Sequence, residues 1–268
     1  MLIQRIITAL ILAPIVVFGI LFLNPSWFSL FVGIMVVIAS WDYCGLIKLH
    51  LFSNKSFYII VILACAFMLA ISPSILEAAL YFTLAWWIIA FFIVVSHPKN
   101  SNLLNQNMTI NLVNGLFLFV PMAASLAILH SQERSLVLLL LLYIWAADIG
   151  AYFSGRRFGN KKLCPNVSPN KTWEGVYGGV ILTQLVAIAY VLSTIESPTL
   201  KDFLVFCFLA LLVSIVSILG DLFESVLKRI SNQKDSGNIL PGHGGLLDRI
   251  DSLTASAPLF VLFVVFIL

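Results

Sequence analysis

Apolar residues run along this chain in long blocks instead of alternating with polar ones. The first block, "IITALILAPIVVFGILFL", covers 6–23, and further blocks follow after short polar breaks such as "NPS" at 24–26, "HPKNSNLLNQNM" at 97–108 and "HSQERS" at 130–135. A run of about 20 apolar residues is the length that crosses a bilayer as a helix. Helix is also the conformation that satisfies the backbone where no water is present. Nine segments meet this description: 6–23, 27–47, 57–73, 76–96, 112–130, 136–153, 174–195, 203–222 and 252–268. The predicted fold class is therefore an all-α integral membrane protein with about nine transmembrane helices. Five spans fall in 1–135 and four in 136–268, the latter carrying polar loops at 154–173 and 229–250. The first block resembles a signal peptide, but it is long for one and no A-x-A site follows, so it reads as a retained span.

Composition agrees with the pattern. The chain has 268 residues, 61% hydrophobic and 10% charged, against about 25% charged in an average soluble domain. Basic residues retained on the cytoplasmic side orient the spans. With nine passes, one side collects thirteen Lys and Arg (Arg5, Lys48, Lys55, Lys99, Arg156, Arg157, Lys161, Lys162, Lys171, Lys228, Arg229, Lys234 and Arg249), and the other only Arg134 and Lys201. That split predicts a cytoplasmic N-terminus and a C-terminus on the opposite side. The four cysteines (Cys44, Cys65, Cys164, Cys207) have no metal-type spacing and read as free thiols. No internal repeat supports an inverted-repeat transporter.

Two segments on the basic side combine charge with glycine. The first is "DIGAYFSGRRFGNKKLCPNVSPNKTWEG", Asp148 to Gly175, where Arg156, Arg157, Lys161, Lys162 and Lys171 face one local acid, Glu174. Such a cluster suits a polyanion, although topology-setting charge alone explains it equally well. Within "SPNKTWEG", Ser168 and Thr172 offer hydroxyls and Lys171 a point charge to phosphate. Thr172 is also placed to cap the next helix, whose N-terminal amides favour anions. Gly155 and Gly159 would admit a ligand close to the backbone. No P-loop pattern occurs.

The second segment is "GDLFESVLKRISNQKDSGNILPGHGGLLDRID", Gly220 to Asp251. Helical continuation of the eighth span puts Asp221, Ser225 and Lys228 on one face, and Asp248 and Asp251 share a face at the entry to the ninth. Asp148 closes the sixth span in the same manner. Carboxylates converging at one membrane interface repel each other unless a cation lies among them, and hard oxygen ligands beside phosphate-binding lysines point to Mg²⁺. On this reading Asp221 and Asp248 are the metal ligands, with Asp148, Asp235 and Asp251 as additional candidates. A helix-end network of salt bridges is the alternative. His243 in "PGHGG" is compatible with a simple tight turn. Asp42, near the end of the second span, is explained by ion pairing with Lys48 or by a polar helix contact.

Ser225, Lys228-Arg229, Lys234-Asp235, Pro241, His243-Gly244-Gly245, Asp248-Arg249 and Asp251 resemble the signature of the phosphatidate cytidylyltransferases, also called CDP-diacylglycerol synthases. The pattern S-x-apolar-K-R-x4-K-D-x-small-x2-apolar-P-x-H-G-G-apolar-x-D-R-apolar-D is filled at every defined position over 225–251. "DIGAYFSGRRFG" and "SPNKTWEG" extend the likeness over roughly 140–268, while the N-terminal half agrees only in being hydrophobic. Ile149 stands where the family more usually has a small residue. The resemblance implies an enzyme of phospholipid synthesis that joins CTP and phosphatidic acid into CDP-diacylglycerol and pyrophosphate. It also implies a multi-span helical fold, a homodimer, and a Mg²⁺-dependent two-cation centre on Asp221 and Asp248 whose second cation is K⁺.

On this reading the lipid phosphate attacks the α-phosphorus of CTP, and positioning and electrostatics supply most of the catalysis. Asp221, Asp248, Lys171, Lys228 and Arg229 are the expected catalytic residues. Ser168, Lys171, Thr172, Ser225, Lys228, Arg229, Lys234, His243 and Arg249 are the expected substrate-binding ones. The expected surroundings are a lipid bilayer, a bacterial inner membrane with the site facing the cytoplasm, and no nucleic-acid polymer. A transporter would also explain intramembrane acids, but not a glycine-rich basic loop paired with an aspartate-rich motif. The D-G-x2-A-R…G-x3-D-x3-D pattern of enzymes that consume CDP-diacylglycerol is absent.

Overall fold

The computed structural model describes residues 2–99, 101, 104, 107–239 and 244–267, with side chains from residue 10 to residue 266. Among the described residues the chain forms α1 (Leu2–Phe22), α2 (Pro25–Leu46), α3 (Phe52–Ala70), α4 (Pro73–Ser96), α5 (Met108–Gln132) and α6 (Arg134–Phe158). A two-stranded hairpin, β1 (Lys162–Cys164) and β2 (Ser168–Thr172), then leads into α7 (Trp173–Thr194), α8 (Leu200–Ile230) and α9 (Leu247–Val261), whose last turn widens over Leu262–Ile267. Eight of the described helices are long and apolar enough to cross a membrane. The protein is a helical integral membrane protein.

The short polar breaks are where helix ends find their hydrogen bonds. Asn24 accepts from the amide of Trp27 at 3.0 Å, with Pro25 preset for the first turn of α2. Asn107 accepts from Thr109 at 3.0 Å, and Thr199 and Asp202 form a reciprocal capping box on α8. Hydropathy marks only the stretch immersed in hydrocarbon, whereas a helix continues until a cap stops it. For that reason α8 runs on from the predicted edge at 222 to Ile230, α6 runs from 153 to Phe158, and α9 begins at Leu247, ahead of 252. The predicted loop at 154–173 contains a helix end and a hairpin.

Large apolar side chains such as Phe82, Ile89 and Phe92 on α4 face outward, as a lipid solvent allows. Inside, polar groups join the helices. Tyr43 donates to the carbonyl of Asn111 at 2.6 Å, Tyr58 to that of Leu112 at 2.7 Å, and Trp86 Nε1 to Asn114 Oδ1 at 3.1 Å. The most extensive helix pairing is between α6 and α7, and glycines permit it. A methyl group on Gly179 would lie 2.7 Å from the carbonyl oxygen of Ala147, one on Gly175 would lie 3.0 Å from that of Ala151, and Gly150 abuts the backbone of Gly178. Close backbone approach through small residues is the usual basis of helix association in lipid.

Backbone cannot yield as a side-chain tip can. Gly179→Val is therefore expected to cost at least about 1–3 kcal/mol, read as a lower melting temperature in detergent. Gly33→Ala, whose added methyl group would meet nothing within 4 Å, is expected to leave the transition unchanged.

Candidate active site at one end of the bundle

The C-terminal ends of α6 and α8 and the N-terminal ends of α7 and α9 bring the two charged segments together. Asp148 comes from α6, Lys171 from β2, Asp221, Glu224 and Lys228 from α8, and Asp248 and Asp251 from α9.

The β-hairpin presents Lys171. Its strands pair antiparallel, Lys162 with Thr172 and Cys164 with Ser168. Arg229 donates from Nε to the carbonyl of Val167 at 3.2 Å, and Asn166 donates to that of His97 at 3.5 Å, so the turn is tied to the ends of α8 and α4. Burial, and then the charge of Arg229, hold the His97 imidazole below its usual pKa. Burial raises the Cys164 thiol. Thr172 caps α7 by accepting from Gly175 at 3.2 Å, as its position predicts. With the hairpin placed, Lys171 Nζ lies 2.6 Å from Asp221 Oδ2, and both side chains remain partly open to solvent.

A second pairing lies deeper. Lys228 Nζ sits 2.7 Å from Glu224 Oε2 and 2.7 Å from Asp248 Oδ1. The lysine retains 13% of its side-chain exposure, the two acids 4% and 7%. Two anions around one cation at this burial are unfavourable unless further donors assist. Asp248 has them: Oδ2 accepts from the amide of Ser236, the hydroxyl of Ser236 and the amide of Gly245, each at 2.9 Å. Glu224 does not, for its Oε1 is buried without a partner. Sequence inspection missed Glu224, although an acid one helical turn before Lys228 inside an apolar span was a usable signal.

The other expected site residues are distributed less tightly. Ser225 donates to Asp221 Oδ1 across a long 3.4 Å. Asp148 lies within electrostatic reach of Asp221, Lys171 and Arg249, and Asp251 within that of Asp221, Lys171 and Lys228. Ser168 is half-buried on β2, and Arg249 is exposed on the first turn of α9. Lys234 and Asp235 are exposed on the connecting segment, Asp235 beside Gly244. His243 lies outside the described residues. Of the two readings of Asp42, the structure shows the polar helix contact and not an ion pair with Lys48: its Oδ2 accepts from the amides of Leu246 at 2.7 Å and Leu247 at 3.4 Å.

The fit to a divalent cation differs between the two principal aspartates. Asp248 accepts four contacts, three on Oδ2 and one, from Lys228, on Oδ1, so Oδ1 keeps a lone pair. Asp248 is a hydrogen-bonded anchor for Lys228 whose Oδ1 still has room for a cation. Asp221 also fits, being a partly exposed carboxylate with one weakly engaged oxygen and two further aspartates in reach. Among the described residues no set of three or more His, Cys, Asp or Glu side chains is gathered as a metal centre.

Helices spanning a bilayer, with lysine–aspartate pairs collected at one end, define a polytopic membrane protein equipped for phosphate chemistry. Comparison with known proteins gives its family. A family model described as "Cytidylyltransferase family" matches residues 3–267, and the chain belongs to that family; it is a nucleotidyltransferase. It is 40% identical over 262 residues to a phosphatidate cytidylyltransferase of Pseudomonas aeruginosa, covering 97% of this chain and 96% of that one. It is 36% identical to one from Haemophilus influenzae over the full length of both chains. A Bacillus subtilis protein of the same name is 47% identical over 116 residues, 43% of this chain and 42% of that one.

Removing one member of a buried ion cluster leaves the others unpaired. Lys228→Met is expected to lower stability by about 3–5 kcal/mol, measured as the shift of a denaturation curve in detergent. Adding Glu224→Gln to Lys228→Met is expected to recover part of that loss, because one stranded charge is removed.

Proposed function

We propose that this protein transfers the cytidylyl group of CTP to phosphatidic acid, forming CDP-diacylglycerol and releasing pyrophosphate. The observation that carries the reading is the pair Lys171–Asp221, a partly exposed cation and carboxylate at the end of a lipid-embedded bundle. The names of the full-length relatives support it.

The chemistry is a phosphoryl substitution. A phosphate oxygen of phosphatidate forms a bond to the α-phosphorus of CTP as the α–β phosphoanhydride bond breaks, and its electrons leave with pyrophosphate. The attacking oxygen is already anionic near neutral pH, so no side chain need remove a proton. The barrier is the approach of two anions, which cationic groups and exact placement lower. Lys171 exchanges Asp221 for the triphosphate, with Ser168 and Thr172 beside it on β2. Lys228 is held in one orientation by Asp248 and Glu224, and with Arg229, Lys234 and Arg249 it supplies positive charge to the triphosphate or the lipid phosphate.

Mg²⁺ is the expected cofactor; Asp221 and Asp248 would hold it, with Asp148 and Asp251 in electrostatic reach of Asp221, and when bound it would offset charge on the phosphates. A second cation, K⁺, rests on the family resemblance. The acyl chains remain in hydrocarbon, each buried CH₂ contributing about 0.8 kcal/mol, and the headgroup reaches the polar end of the bundle from the side. The charge bias of the loops and the bacterial relatives favour an inner membrane with the site facing cytoplasmic CTP. Assembly as a homodimer rests on the family resemblance.

Purified protein incubated with phosphatidic acid, CTP labelled at the α-phosphate and Mg²⁺ is expected to transfer label into the lipid phase and release pyrophosphate, and chelation is expected to stop it. Lys171→Ala is expected to raise the KM for CTP by about 10-fold, the equivalent of one lost charge-assisted contact. Asp221→Asn is expected to lower kcat by at least about 100-fold. Folded protein that yields no lipid-soluble label overturns the reading.

A further inference from the structure

The mechanism above leaves one buried acid without a task. Asp42 lies near the C-terminal end of α2, far in sequence from the motif at 225–251. It is 4% exposed, and no ion pair to it occurs among the described residues. A buried carboxylate with no cation is costly, and what it obtains instead is backbone. Its Oδ2 accepts from Leu246 and Leu247 at 2.7 and 3.4 Å, at the start of α9. There the helix has no side-chain cap of its own, since Leu246 occupies that position. Asp42 thus does from α2 what a local Ser or Asp does at most helix starts, and its charge lies at the favourable end of the helix dipole.

The segment is shaped around this carboxylate. A methyl group on Gly245 would lie 2.6 Å from Asp42 Oδ2, and one on Gly237 would lie 2.7 Å from its carboxyl carbon. Gly237 and Gly245 flank the residues that hold the reaction centre. The amides of Ser236 and Gly245 bond Asp248 Oδ2 at 2.9 Å, and Asp248 Oδ1 in turn bonds Lys228 at 2.7 Å. The chain of contacts therefore runs from Asp42 to the first amides of α9, to the turn carrying Ser236 and Gly245, to Asp248 and to Lys228.

We propose that Asp42 is a positioning residue of the reaction centre: through the Leu246 and Leu247 amides it fixes the start of α9 and the glycine turn that together orient Asp248 and Lys228. It touches no substrate. The inference rests on Lys228 and Asp248 belonging to the proposed site, so its test reads local order as well as turnover.

The experiment compares the full-length protein with Asp42→Asn, which keeps the shape and removes the charge. Tyr43→Phe serves as control, because it deletes an equally buried hydrogen bond from the same helix without touching the turn. Amide exchange by mass spectrometry, melting temperature and kinetics with CTP and phosphatidic acid are measured on each. Asp42→Asn is expected to speed exchange by about 10-fold in peptides covering 236–250 alone, and to lower kcat by about 10-fold with both KM values within about 3-fold. Tyr43→Phe is expected to lower the melting temperature while leaving kcat and that exchange as in the wild type. If Asp42→Asn cannot be obtained folded, Gly237→Ala, whose methyl group would meet the Asp42 carboxyl first, reaches the same contact from the other side and is expected to give the same local exchange and kcat loss. Wild-type exchange over 236–250, or faster exchange spread over all helices, overturns the positioning role. Local loosening with unchanged kcat shows the contact but removes its link to the reaction.

Discussion

A buried lysine between two carboxylates is the interaction on which the functional end of this protein depends. Lys228 lies 2.7 Å from both Glu224 and Asp248, on helices whose polar ends meet at the membrane face. Neither acid is tolerable there without the lysine, and the lysine without them would be a bare charge at the edge of hydrocarbon. The mutual requirement fixes the register of α8 against α9 more firmly than apolar contact alone. Lipid tails match apolar side chains and so provide little preference for one helix pairing over another.

Around that pair, backbone geometry does what charge cannot. Glycines let α6 and α7 approach almost in contact, and the resulting helix pair carries the hairpin that delivers Lys171 to Asp221. The two lysine–aspartate pairs differ in depth and therefore in character. Lys171–Asp221 is partly solvated and free to exchange partners with an incoming phosphate. Lys228–Asp248 is deeper, with three further donors on Asp248 Oδ2, and holds its geometry. An arrangement with one labile and one rigid pair suits a reaction whose main obstacle is bringing two anions together in a fixed alignment.

The N-terminal half is more than an anchor. Tyr43 and Asp42 are neighbours on α2 with different partners: Tyr43 bonds the backbone of α5, and Asp42 bonds the backbone at the start of α9. The second contact joins residues 204 positions apart. It holds the amides of Leu246 and Leu247, where α9 begins.

By itself the sequence determined the helical membrane class, because blocks of about 20 apolar residues leave the backbone no other solution. It also singled out the residues expected to carry the chemistry. Charges and glycines are costly in a membrane span, and those near the membrane face in 148–175 and 220–251 stand out for that reason, with a spacing specific enough to resemble one family. Thr172 as a helix cap was legible too, since capping depends on neighbours a turn away. What only the tertiary structure decided were the partners. The donors that meet Asp248 come from Ser236, from Gly245 and from a lysine 20 positions earlier. Glu224 was hidden inside an apolar run, and the sequence left Asp42 between an ion pair with Lys48 and a polar helix contact, which the structure resolves as a bond to the Leu246 amide. Helix periodicity reports which residues share a face, whereas the choice of partner across helices is made by packing, burial and the need of each buried charge for a donor.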